Sequence, residues 1–251
     1  MHNVLPHENS RLSRVLVRLL GPTADTVVVH TKEELRLASL FGATDVRMVA
    51  LPLFGFSSDA VTESSIRDST PRYVLSFVGF VRPYKGVDLL IEALAQAKTP
   101  VSIVVAGEFW VPMESLASLA RGKAVDDRVQ LIDRYISARE MEQVVRGSDA
   151  LVLPYRSATG SQMPDIAFAL GRPVIATPVG AFADKIIDSV NGIVCTSATA
   201  ESIADAIDRF YEGDTFRVLT HGANESADRH ASADWSNYLS AVLGEGEYDH
   251  T

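Results

Sequence analysis

The sequence predicts an α/β fold: a doubly wound parallel sheet flanked by helices, preceded by an incomplete second β/α unit. Three observations carry this. From residue 73 onward, short apolar runs alternate regularly with segments of helical periodicity. The stretch from Asp149 to Gly180, DALVLPYRSATGSQMPDIAFALGRPVIATPVG, reads as strand, loop, helix and strand in succession. The first 54 residues carry a β/α pattern too short to close a sheet, and the polar run GFSSDAVTESSIRDSTP follows them.

In order, HNVLPHE at 2–8 is a polar loop. Ser10 to Leu20 is an amphipathic helix with Arg11, Arg14 and Arg18 on one face and Leu12, Val15, Leu16 and Leu19 on the other. Its basic face is either a solvated surface or a contact for an anionic membrane. Ala24 to Thr31 is a strand, Thr31 caps a helix over Lys32 to Phe41 with Glu34 at the capping-box position, and Val46 to Leu51 is a further strand. Two strands and two helices cannot form a doubly wound domain. Residues 1–54 therefore read as a domain remnant, 55–72 as a linker, 73–228 as the principal domain, and 229–251 as a terminal helix with an acidic tail.

In the principal domain, strands fall at 73–79, 101–106, 128–132, 150–153, 173–176 and 192–195. Helices fall at 86–97, about 113–121, 137–146, 163–170, near 181–187, and 199–211. Strands joined by single helices imply an all-parallel, Rossmann-like sheet covered on both faces. Gly171 is placed to end the helix that begins near Met163, and that helix's first-turn amides should face the carboxyl edge of the sheet, where they suit an anion. Trp235, Tyr238 and Leu239 mark the terminal helix.

Hydrophobic residues make up 47% of the 251, ample for a core. The net charge of -9 argues against a general nucleic-acid binder, so any anionic ligand must be met by local cations. The single cysteine, Cys195, removes an internal disulfide and a cysteine zinc site; in the run Ile193-Val194-Cys195 it reads as a buried filler. There is no run of about 18 apolar residues and no apolar core of a signal peptide. The expectation is a cytoplasmic chain, with peripheral contact at the inner membrane face as the alternative role of the basic helix.

Two loops hold the candidate chemistry. In FVGFVRPYKGVD, a strand ends at Gly79, and Arg82 and Lys85 sit before the next helix, at the edge where ligands of open α/β sheets collect. The pair is either a set of solvated loop cations or a diphosphate site, Arg as a bidentate fork and Lys as a point charge. The second loop, 157–163, is rich in small residues. No G-x-G-x-x-G follows a strand, no P-loop motif occurs, and no Asp-x-Asp pair offers metal ligands for a diphosphate.

Taken together, GFVRPYKGVDLLIEAL, the AGE at 106–108, SDALVLPYRSAT, and GRPVIATPVGAF leading to NGIV resemble the donor-binding half of retaining nucleotide-sugar glycosyltransferases of the GT-B fold, glycosyl transferase group 1. The likeness is strong over 73–212 and weaker over 1–54, where HNVLPHE and ADTVVVHTKEEL are similar to the end of the acceptor-side domain. It implies transfer of a sugar from a nucleoside-diphosphate sugar to the hydroxyl of a carbohydrate or lipid-linked acceptor, with retention, without a metal and without a cofactor. Arg82 and Lys85 match the pair that holds the donor diphosphate. Gly79 and the loop Thr159, Gly160, Ser161 and Gln162 match its backbone surroundings, Gly180 matches a glycine after the next strand, and His2 matches the acceptor-domain histidine beside the donor sugar.

The family commonly places one glutamate near the transferred sugar and a second on the ribose hydroxyls. Gauged from Gly171, these positions are Ala158 and Ile166, and Asp165 is the nearest carboxylate: a ribose contact or an exposed helix aspartate. A sub-branch whose acceptor-side motif opens HN and PHE resembles this chain in carrying PYRSAT at the first position. Trp235 resembles the aromatic of a terminal helix that returns to the first domain; the shortness of that domain implies an uncovered apolar face and self-association through it. Two rival readings remain: a nucleotide-sugar epimerase, which lacks its carboxylates at 158 and 166, and a non-enzymatic nucleotide- or partner-binding module.

Overall fold

The computed structural model describes residues 24–40, 42–49, 73–158, 161–180, 182–230 and 235–243. The expected helix at 10–20, the linker at 55–72 and the acidic tail lie outside them. Among the described residues there are two parallel sheets. The small one pairs β1 (Val27–Val29) with β2 (Val46–Met48) through helix α1 (Lys32–Leu40). Thr31 caps α1 by accepting the Glu34 N–H at 3.1 Å, and the Glu34 carboxylate reaches back to the His30 N–H at 3.0 Å, one residue earlier than in a standard capping box.

The large sheet comprises β3 (Tyr73–Val78), β4 (Val101–Gly107), β5 (Val129–Asp133), β6 (Ala150–Leu153), β7 (Val174–Ala176) and β8 (Gly192–Val194). All are parallel, in the order β5-β4-β3-β6-β7-β8. Between them run α2 (Val87–Gln96), α3 (Met113–Gly122), α4 (Ala138–Arg146), α5 (Met163–Ala169) and α6 (Phe182–Lys185). Helices α7 (Ala200–Phe210), α8 (Thr215–His230) and α9 (Trp235–Leu243) follow the last strand.

The central strands read as near-continuous apolar runs because both faces are covered. Leu75, Phe77, Val105, Leu151, Leu153 and Ile175 are fully buried. Helix α2 packs against α3 and α7, and α4 lies against β3 and β4. Every strand and helix expected between 73 and 211 is present to within a residue or two. One helix has no counterpart in the sequence pattern: α8, which packs against α5.

Candidate functional site

The strand order places the site. β3 and β6 are neighbours, and the chain leaves β3 toward β4 on one side and β6 toward β7 on the other. Right-handed crossovers send the following helices to opposite faces, which opens a crevice at the carboxyl ends of these two strands. The loops that flank it are the two picked out by the sequence.

The loop after β3 is held by backbone bonds. Val81 N–H donates to the Glu108 carbonyl at 2.9 Å and Trp110 N–H to the Val81 carbonyl at 2.8 Å, fastening it to the loop after β4. Pro83–Lys85 then forms a 3₁₀ turn, and Gly86 both closes it and begins α2. Gly86 has φ +68°, and a Cβ there would stand 2.0 Å from the Pro154 carbonyl oxygen. Only glycine lets this loop lie against the one after β6.

Lys85 Nζ is 5.4 Å from the centre of the Tyr155 ring and 6.0 Å from that of Phe77, over Gly79. Burial, aided by the charge of Arg82, lowers its pKa to about 8. The Arg82 guanidinium lies 3.8 Å from the centre of the Trp110 ring and 5.7 Å from that of Phe80, and its Nε is buried without a hydrogen-bond partner. Among the described residues neither cation forms an ion pair. Nearby Arg156 is engaged: its Nη1 and Nη2 clasp the Asp88 carboxylate at 2.7 and 2.6 Å, and Nη1 also donates to the Pro83 carbonyl at 2.9 Å. Burial pushes the Asp88 carboxyl up, but Arg156 outweighs it and leaves the group below its usual range.

Across the crevice, α5 departs from the expected nest of free amides. The Met163 N–H donates to Ser161 Oγ at 3.2 Å and Pro164 has no N–H, so two of the first-turn donors are unavailable to an anion. Asp165 is buried rather than an exposed helix aspartate. It forms an ion pair with Lys185, whose Nζ also donates to the Ser161 carbonyl at 3.0 Å. Gly180, on the loop after β7, comes so near Ala158 that a Cβ would stand 1.7 Å from its carbonyl oxygen.

A cavity of about 340 Å³ lies where the loops converge, walled by Gly79, Phe80, Glu108, Tyr135, Gln162 and Ile166 among others. Ile166 makes an apolar wall at the position where the resembling family carries its ribose glutamate. The structure thus gathers Gly79, Arg82, Lys85, Ser161 and Gln162 around one crevice and commits Asp165 to Lys185. His2, Thr159 and Gly160 lie outside the described residues. Phe80, Trp110, Tyr135 and Tyr155 were not singled out by the sequence; the signal was aromatic residues at the carboxyl ends of strands, visible only once the strand order is known.

Residues 72–213 match the family model Glycosyl transferases group 1. The D-inositol 3-phosphate glycosyltransferase of Xylanimonas cellulosilytica is 28% identical over 238 residues, covering 88% of this chain and 56% of that protein. The chain spans about half the length of the curated relatives it matches. Among solved structures, Anabaena HepE in complex with UDP-glucose superposes with a TM-score of 0.83 at 16% identity, covering 98% of this chain and 71% of that one. Sucrose-phosphate synthase from Thermosynechococcus elongatus gives 0.75 at 19% identity, covering 94% and 63%. These likenesses establish the GT-B type of parallel α/β fold.

Proposed function

We propose that this chain, which belongs to the glycosyl transferases group 1 family, supplies the donor site of an enzyme that transfers a sugar from a nucleoside-diphosphate sugar to an acceptor hydroxyl. The observation that carries the reading is the pair Arg82 and Lys85: two cations without ion-pair partners among the described residues, at the strand-order switch of a chain with net charge -9. The names of the relatives, a glycosyltransferase acting on D-inositol 3-phosphate and a protein solved with UDP-glucose, support a nucleotide-sugar donor.

In this reading the bond from the anomeric carbon to the diphosphate breaks, and negative charge grows on the departing oxygen. Arg82 offers a planar fork and Lys85 a point charge to that oxygen and its neighbours, in a crevice where the lower dielectric strengthens both. An arriving diphosphate raises the Lys85 pKa again, so the ammonium is charged when the leaving group needs it. The nucleoside extends into the cavity between Phe80, Tyr135 and Ile166, where Glu108 and Gln162 are the polar side chains at hand. Retention at the anomeric carbon, independence from metal ions, a carbohydrate or lipid-linked acceptor and a cytoplasmic location belong to the same proposal. Among the described residues no helix is long and apolar enough to cross a membrane.

The test is calorimetric titration of the chain with UDP, GDP and ADP, with and without magnesium, repeated on Lys85→Ala. Magnesium-independent binding of one nucleotide, lost in the variant, is the expected result and identifies the base. Absence of binding to all three, or binding indifferent to Lys85, overturns the donor-site reading.

A further inference from the structure

The Arg82 side chain presents a problem that the donor-site reading leaves open. A long, flexible arginine side chain has rotamer entropy to lose when it is fixed. No carboxylate or carbonyl among the described residues holds this one, and its Nε is buried unbonded. What it does have is an indole. The guanidinium carbon lies 3.8 Å from the centre of the Trp110 ring, a stacking distance, while Phe80 stands edge-on to that indole at 6.0 Å. Trp110 is itself 61% exposed, so burial does not account for its place. Its backbone does: the Trp110 N–H to Val81 carbonyl bond sets the indole in register with the residue next to Arg82, and the Asp133 carboxylate holds the Phe109 N–H at 2.8 Å from the other side.

We infer that Trp110 is a positioning residue for Arg82, its ring holding the guanidinium plane so that the N–H edge is presented to the donor diphosphate. Stacking occupies the flat face of the guanidinium and leaves its in-plane donors free, which a carboxylate partner would not do. A carboxylate would also cancel the charge the leaving group needs; an indole fixes the cation without neutralising it. The inference rests on the donor-site reading, and its test separates the two.

On the full chain, the affinity for UDP, GDP and ADP is measured by calorimetry for wild type, Trp110→Leu, Trp110→Phe, Arg82→Lys and the Trp110→Leu/Arg82→Lys double variant, with thermal unfolding of each. Trp110→Leu is expected to weaken the nucleotide that binds by roughly fivefold at unchanged melting temperature, and Trp110→Phe to recover most of it. In the double variant the Leu substitution costs less than it does alone, because an ammonium has no plane to orient. Without any ligand, in a Trp235→Phe background that leaves Trp110 as the single tryptophan, Arg82→Leu shifts the indole emission. Wild-type affinity in Trp110→Leu, or strictly additive losses, removes Trp110 from this role. If binding then still depends on Lys85, the donor site itself stands; if the wild type binds none of the three nucleotides, both readings fall together.

Discussion

Lys85 is a cation that the fold holds at a cost. In the folded chain it releases its proton near pH 8, and in the unfolded chain near its ordinary 10.5. Between those values the unfolded state binds more protons, so this group's contribution to unfolding free energy rises with pH from about 8 to about 10.5, and its burial cost is full below about 8. Lys85→Met should therefore raise the melting temperature at pH 7, by up to about 3 kcal/mol in free energy, and flatten the pH dependence between 8 and 10.5. It should also abolish nucleoside-diphosphate binding. Thermal unfolding at pH 7 and pH 10 checks the first part, and a variant less stable than wild type at pH 7 contradicts it. The place of this lysine was legible in the sequence, because a Lys in the loop between a strand and a helix sits at the carboxyl edge of the sheet. Burial, the larger cause of its lowered pKa, was not: Tyr155, at a neighbouring strand end 70 positions away in the chain, comes to within 5.4 Å of the ammonium. Cys195 was read correctly from its apolar run; it is 3% exposed, and burial pushes its thiol up to about 12. Asp165 shows the reverse, since nothing local announces that Lys185, 20 positions on, will claim it.

Between elements, the Arg156–Asp88 clasp ties the loop after β6 to the first turn of α2, and the Arg156 N–H donates to the Tyr84 carbonyl at 2.7 Å beside it. Both partners are partly exposed, so the pair contributes at most about 1 kcal/mol to stability. Its geometric effect is larger, because it fixes the distance between the loop that carries Lys85 and the wall of the crevice formed by Tyr155. Asp88→Asn is accordingly expected to lower the melting point by a few degrees at most while weakening nucleotide binding several-fold; a variant with unchanged affinity shows that Gly86 and the backbone bonds suffice to hold the loops. Helix α4 offers a simpler case. Ser137 and Glu140 form a capping box, with the Ser137 N–H donating to the Glu140 carboxylate at 2.8 Å, and Ser137→Ala should cost about 1 kcal/mol by denaturant unfolding. The start of this helix was readable to within one residue because its cap lies within four consecutive positions. Helix α8 was not readable for the opposite reason. Its sequence TFRVLTHGANESADRH has a weak apolar stripe and an internal glycine, yet Gly222 is there because a Cβ would stand 2.0 Å from the Val190 carbonyl oxygen. A feature that reads locally as a helix breaker is a tertiary packing requirement.

At the scale of the whole chain, an early strand pair and a late helix meet. Among the described residues the β1–β2 sheet has two strands, too few to be stable alone in water. Helix α9, about 200 positions later, supplies part of its cover: the Tyr238 ring stacks on His30 at 6.0 Å between centres, and Arg47 donates to the Ala241 carbonyl at 2.8 Å. Asp45 aims that arginine, accepting from its Nε at 3.2 Å and Nη2 at 2.6 Å, so the β2 side chain reaches α9 with its charge already paired. The sequence pointed to a returning terminal helix through Trp235, by resemblance alone; the side chain of Trp235 lies outside the described ones, and among those described the return is made by Tyr238 and by the Ala241 carbonyl. If this is what holds the small sheet in place, Arg47→Ala and Tyr238→Ala should each speed amide hydrogen exchange across Val27–Val29 and Val46–Met48 by roughly tenfold, about the effect of losing a hydrogen bond to a charged group. Exchange across β3 to β8 should stay at wild-type rates, since the large sheet has its own core. Equal acceleration in both sheets would mean that the chain opens as one cooperative unit and that α9 stabilises all of it rather than the β1–β2 pair.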